Sequence, residues 1–244
     1  MIIRTITNTK NSIAKICIVG SLHGNELIGK KVIESLKKEN IPNKINVTGI
    51  IANTEAIKKN KRFLDVDGNR CFPGIKSGNN EEKIAYKIMQ IIKNYDYVID
   101  IHSTYAVQSD IIIITKPESI QLAKQIPIKK VVLMNKKVAS GHSLIDYAKL
   151  GVSIEFNKSR SSNEVIKIIT RTLATILDAK VQHNKEIYKV IGFLKNRKNN
   201  YKIANFKEMK NKKINNKFYK NKLYSLFIDA KAYNGFYMIA EKIQ

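Results

Sequence analysis

Through the first two thirds of the chain, apolar runs of strand length alternate with segments of helical spacing. This alternation limits the fold more than any other feature. "AKICIVGS" reads as a strand, and "ELIGKKVIESLKKE" as a helix with Leu27, Ile28, Val32, Ile33 and Leu36 on one side. "KINVTGIIAN" is a second strand, followed by "TEAIKK" as a short helix or turn. "EEKIAYKIMQIIKNY" restores helical spacing, and "DYVIDIHS" and "DIIIIT" read as strands. "PESIQLAKQI" is a helix opened by Pro117, "KVVLM" a strand, and "SLIDYAKLG" a helix ended by Gly151. "VSIEFN" is a further strand, and "SNEVIKIITRTLATILDAK" the last long helix, with Ser162 as its cap. This order predicts an α/β fold: a three-layer sandwich around a mostly parallel, mixed central sheet, over residues 1–180.

From about Val181 the character changes. "KVIGFLK", "YKIANF", "KFYKNKLYSLFID" and "YNGFYMIAEKI" read as short strands between Lys/Asn-rich turns. Residues 181–244 are expected to form a small β-rich C-terminal domain. "KEMKNKKINNK" reads as a hairpin loop or a disordered spot.

The formal charge of +24 raises the question of a polyanionic partner. Only six of the 44 basic residues are Arg, at positions 4, 62, 70, 160, 171 and 197. Bidentate readout of bases and phosphates favours Arg, and here Lys is scattered among Asn and Ile. This argues against specific nucleic-acid binding. A catalytically silent Lys-rich polyanion binder remains the non-enzyme alternative. No apolar stretch has the length of a membrane span; "YDYVIDIHSTYAVQSDIIIIT" is broken by Asp, His and Gln. "MIIRTITNTKNSIAK" lacks the features of a signal peptide, and Cys17 and Cys71 have no metal-ligand spacing. The expectation is a cytoplasmic protein with free thiols and no membrane contact. The oligomeric state stays open, a homo-oligomer included.

Chemistry concentrates at strand ends. In "CIVGSLHGNELIGKKVIE", His23 and Glu26 follow a strand and precede a helix. Read alone, Asn25 would be a helix N-cap, Glu26 a first-turn carboxylate and His23 an ordinary loop histidine. In "YVIDIHST", His102 stands at the carboxyl end of a strand, where open α/β sheets place ligands. Two imidazoles and a carboxylate so placed form the donor set of a catalytic zinc site. Glu155 in "GVSIEFN" reads either as a carboxylate paired with a lysine or, beside zinc, as a general base. The stretch "NKRFLDVDGNRCFPGIKSGNN" is a loop long enough to be functional or disordered. It holds two of the six arginines.

"HGNE", the spaced "R-x-x-D-x-D-x-N-R", "DIHST" and "IEF" arrive in the order seen in the succinylglutamate desuccinylase/aspartoacylase family, which has a zinc carboxypeptidase-like fold. The resemblance covers residues 16 to 157 by motif, and "LYSLFIDAKAYNG" is similar to the family's closing segment. It implies that His23, Glu26 and His102 bind one Zn2+ per chain. It also implies that Glu155 is the general base and that Arg62 polarises the scissile carbonyl. Asn69 and Arg70 then grip a substrate carboxylate, Asp67 steadies the first zinc histidine, and Tyr233 reaches the site from the tail. Two departures stand out. Gly68 replaces a common Leu, and Arg160 follows Glu155, whereas aspartoacylase-type members carry an Arg before that strand to read an acidic group. His142, His183 and the cysteines match no role.

The activity implied is zinc-dependent deacylation of a small N-acyl amino acid or peptide-like substrate bearing a free carboxylate. A carboxypeptidase acting on short peptides is the enzymatic alternative.

Overall fold

The computed structural model describes residues 1–104, 109–134, 141–195, 206–209, 213–214, 217–226 and 236–244. Its centre is a mixed sheet. Strands β2 (Ala14–Gly20), β3 (Ile45–Ile51), β4 (Tyr97–Thr104) and β7 (Leu150–Asn157) run parallel in the order β3-β2-β4-β7. Strand β1 (Ile2–Thr7), not foreseen from the sequence, adds antiparallel to β3 at one edge. Beyond β7 the direction reverses. Strand β5 (Ile111–Ile114) pairs antiparallel with β7, while β6 (Lys130–Leu133) and β8 (Glu186–Lys195) follow in parallel with β5.

The core strands are buried on both faces, as parallel strands between helix layers must be. Along β2, Ile16 and Ile18 face one core while Cys17 and Val19 face another. The first core is closed by α1 (Ile28–Ser35), α4 (Ile120–Gln125) and α6 (Ser162–Thr175), through Val32, Ile33, Leu122, Val165, Ile169 and Leu173. The second is closed by α3 (Asn80–Ile92) and α5 (Leu144–Tyr147), through Ala85, Ile88, Ile92 and Leu144. Helix α2 (Thr54–Lys58) is one short turn after β3, capped by Asn53. The three-layer α/β sandwich is therefore present, with a sheet more mixed than the sequence alone implied.

Three local readings need correction. Helix α5 is a single turn, and Gly151 lies inside β7, where its missing Cβ leaves room for Ala148 and Ile145. The cap of α6 is Ser161, in a capping box with Glu164, one residue before the Ser162 expected. Asn25 does not cap α1: Leu27 holds that position without a side-chain bond.

After residue 181 the strands continue the same sheet, through β8 on β6. Strand β13 (Phe236–Lys242) pairs with β8, β12 (Leu223–Leu226) with β13, and β9 (Lys207–Glu208) with β12. Strands β10 (Lys213–Ile214) and β11 (Lys217–Phe218) form a separate small pair. Ile111 and Val132 share one core cluster with Tyr188, Val190, Leu226 and Met238. Among the described residues, no helix is long and apolar enough to cross a membrane.

Candidate metal centre

Strand β2 ends at Gly20, and Ser21 turns the chain with a φ of 55°. Its Oγ donates to the Glu26 carbonyl at 2.9 Å. Helix α1 then returns hard against the strand end. A Cβ on Gly20 would stand 2.6 Å from the Gly29 carbonyl carbon, and one on Gly29 2.5 Å from Gly20 Cα. Only paired glycines permit that approach. The turn so formed holds His23 and Glu26 at the carboxyl end of the sheet, where β4 delivers His102.

The three side chains meet. His23 Nδ1 lies 2.9 Å from Glu26 Oε1, and His102 Nδ1 lies 3.0 Å from Glu26 Oε2. All three residues are buried, and one ligand atom from each falls within 4.8 Å of the others. The outer ring nitrogens are braced by carboxylates: His23 Nε2 is 3.1 Å from Asp67 Oδ1, and His102 Nε2 is 2.7 Å from Asp100 Oδ2. This fixes which imidazole nitrogen faces inward. Asp100 went unnoticed in the sequence, although Asp-x-His on a strand puts both side chains on one face.

Arg62 reaches the same cluster, with Nη1 donating to Glu26 Oε1 at 2.9 Å and Nη2 to Asp67 Oδ2 at 3.2 Å. Glu155 is the register partner of His102 on β7. Asn69 and Arg70 sit on a single helical turn, Gly68–Arg70. Asn69 Oδ1 accepts from Leu144 N at 3.0 Å, and the exposed Arg70 donates to the Asn69 carbonyl at 2.8 Å. Gly68 is buried, yet a Cβ there would meet only ordinary contacts, Leu22 O at 3.4 Å being the nearest. Tyr233 lies outside the described residues.

Electrostatics favour a cation among these groups. Burial alone would push His23 and His102 down, but Glu26 and Asp67 raise the first, and Asp100 and Glu26 raise the second well above the usual histidine value. Burial would raise Glu26, yet His23 and His102 hold it well below the ordinary carboxylate range. Asp67 is likewise held low, by His23 and Arg62 against its own burial. Glu155 behaves otherwise. Desolvation pushes it up to about 7, with His102 pulling back and Glu26 adding to the rise. Glu26, Asp67 and Asp100 around two imidazoles draw positive charge inward, and a divalent ion held by two imidazole nitrogens and Glu26 would supply it. The donor set fits zinc.

The long loop is held by a residue that sequence reasoning passed over. Glu81, 1% exposed at the start of α3, accepts from the backbone N–H of Leu64, Asp65 and Val66 at 2.8, 3.0 and 3.3 Å. It also accepts from Asn53 Nδ2 at 2.8 Å and Asn80 Nδ2 at 3.0 Å. Gly24 N donates to the Arg62 carbonyl at 2.9 Å. Together these bonds fasten the segment carrying Arg62 and Asp67 to the turn carrying His23.

The catalytic-domain model of the succinylglutamate desuccinylase/aspartoacylase family matches residues 12–180. The chain belongs to this family. Over 111 residues it is 32% identical to a protein described as probable aspartoacylase from Acaryochloris marina (strain MBIC 11017), covering 39% of this chain and 37% of that one. The chain thus spans little more than a third of that relative. An N-acyl-aromatic-L-amino acid amidohydrolase (carboxylate-forming) of Danio rerio is 32% identical over 62 residues, covering 23% of this chain and 20% of the relative. Among solved structures, succinylglutamate desuccinylase from Chromobacterium violaceum superposes with a TM-score of 0.72 at 15% identity, covering 97% of this chain and 87% of the other. Murine aminoacylase 3 gives 0.72 at 17% identity, covering 96% and 97%. These likenesses establish the fold shared with the family, down to the C-terminal strands.

Proposed function

We propose that the protein is a zinc-dependent deacylase, cleaving the amide of a small N-acyl amino acid or peptide-like compound with a free carboxylate. The observation that carries this reading is the buried meeting of His23, Glu26 and His102, with Glu155 beside His102 on the next strand. Zinc held by these three residues supplies a Lewis acid that polarises the scissile carbonyl and acidifies water.

The remaining work falls to the chain's own groups. Glu155 takes a proton from the attacking water and returns it to the leaving nitrogen. Arg62 turns a guanidinium N–H from Glu26 and Asp67 towards the developing oxyanion. Asn69, with Oδ1 engaged by Leu144, offers its amide donor end, and Arg70 stands next to it with an exposed guanidinium. Both ends suit a substrate carboxylate. Tyr233, assigned from the resemblance alone, is kept as a substrate contact, to be tested by Tyr233→Phe.

The experiment is a panel of N-acyl amino acids and dipeptides incubated with zinc-loaded protein, reading free amine. Release from N-acyl amino acids, lost on chelation and restored by zinc, is expected. Release from dipeptides alone makes the protein a peptidase instead. No release from any compound by protein that retains its zinc overturns the proposal.

A further inference from the structure

On the face of the sheet opposite the Asn69–Arg70 turn, a cavity of about 250 Å³ opens between the starts of α1 and α6 and the ends of β4 and β7. Its walls include Lys31, Lys158 and Arg160, and among the described residues no acidic one lines it. We infer that this cavity is an anion-binding site, taking a carboxylate or phosphate group across the sheet edge from the metal centre.

The cavity is built as well as charged. Arg160 Nε is 2.6 Å from Asp110 Oδ2, while Asp110 Oδ1 accepts from the Asn157 backbone N–H at 2.9 Å. Asp110, 8% exposed, thereby ties the guanidinium to the end of β7. At its outer edge the Arg160 guanidinium meets Glu164 at a long 3.5 Å. Lys31 Nζ reaches Ser162 Oγ at 3.3 Å across the mouth. The first turn of α1 has neither a side-chain cap nor an acidic residue, so its N–H groups add to the positive potential. Apolar Leu27, Ile28, Phe156 and Val165 supply low-dielectric walls that strengthen the attraction.

The site shares a wall with the metal centre. Ser103 lines the cavity, and its backbone N–H donates to Glu26 Oε2 at 3.2 Å. Asn25 and Asn157 line it too, one residue before Glu26 and two after Glu155. The bound anion is therefore either the distal charged group of the substrate or a free anion that adjusts the metal centre through that wall.

The test is calorimetric titration of the zinc-loaded protein with inorganic phosphate at constant ionic strength, comparing wild type with Lys31→Gln, Lys158→Gln and Arg160→Gln. Each exposed lysine variant should weaken phosphate by ~3-fold or more, the scale of one partly exposed charge, and the Lys31/Lys158 pair by about ten-fold. Lys93→Gln, at the C-cap of α3 across the sheet, should leave binding unchanged. This titration needs no turnover, so it holds or fails independently of the deacylase reading. With an N-acyl amino acid substrate, phosphate that raises KM marks the site as holding the substrate's own anionic group. Phosphate that changes kcat alone marks a free anion. Absence of phosphate binding, or equal weakening by Lys93→Gln and the cavity variants, overturns the inference.

Discussion

His102 and Glu155 are register partners on the parallel strands β4 and β7, and they leave the sheet on the same face as Asp100 and Ser153. One contributes to the converging ligand trio and the other does not. A register fixed by strand pairing is stiff, so a side chain set this way stays in place when its charge is removed. Glu155→Gln is expected to retain zinc and thermal stability while kcat falls by at least ~10²-fold. Loss of the metal in this variant would make Glu155 a ligand and leave the reaction without a base.

Metal content tests the trio directly. The wild type should carry about one zinc per chain, and His23→Ala or His102→Ala should lose it in elemental analysis. Asp100→Asn is more discriminating, because Asp100 meets His102 at the outer nitrogen, away from the one that faces Glu26. Removing that brace should weaken zinc by about 10- to 100-fold without abolishing binding. Unchanged zinc affinity in Asp100→Asn would reduce the Asp100–His102 contact to packing.

The two loop arginines should separate in kinetics. Arg70 is exposed and, among the described residues, bonded to the Asn69 carbonyl alone, so Arg70→Ala should mainly raise KM. Arg62 sits on Glu26 and Asp67, and the substrate contact proposed for it would strengthen only as negative charge develops. Arg62→Ala should mainly lower kcat. A KM effect for Arg62 with a kcat effect for Arg70 would exchange their roles.

Sequence pattern carried the layer order because parallel strands buried on both faces read as continuous apolar runs, as "AKICIVGS" and "YVIDIHST" do. It brought out His23, Glu26 and His102 because they stand at the ends of such runs. It did not reveal the reversal at β5, since "DIIIIT" has no side preference that encodes direction. It overextended α5 because "SLIDYAKLG" has helical spacing, whereas pairing with β4 claims the chain from Leu150. Asp100 and Glu81 escaped notice for a different reason. Each works through groups distant in sequence or hidden on a strand face, and no spacing rule links Glu81 to the amides of Leu64, Asp65 and Val66.

Glu81 therefore offers a sharp test of how the loop is held. Burial alone would raise its pKa, but the amides of Leu64 and Asp65 and the side chains of Asn80 and Asn53 outweigh it and hold the group low. Its contribution to stability is thus present above the ordinary glutamate pKa and disappears as pH falls through the lower, folded value. Glu81→Gln puts an amide N–H₂ among donors and should cost ~2–3 kcal/mol in denaturant unfolding. Limited proteolysis should then cut within residues 61–79 before the rest of the chain. Protection of that loop equal to wild type would mean that Gly24 and Leu144 suffice to hold it.

Lys185 gives a pH signature far from the metal centre. It is 5% exposed, and its ammonium donates to the carbonyls of Ile126 and Ile128 between α4 and β6. Burial pushes its pKa down to about 8, whereas an unfolded lysine titrates near ~10.4. Between these values the unfolded chain binds more protons than the folded one, so stability rises with pH across that window. The many other lysines also lose charge there and relieve the repulsion of a +24 chain, which would mask the effect in wild type alone. Lys185→Met removes this one titration and leaves the rest, so the difference between the two proteins isolates it. Denaturant unfolding at pH 7.5 and 9.5 should show wild type gaining on the variant by no more than about 2 kcal/mol, the limit set by ~1.4 kcal/mol per pH unit. A constant difference between the two pH values would mean that the carbonyls of Ile126 and Ile128 hold the ammonium as well as water does.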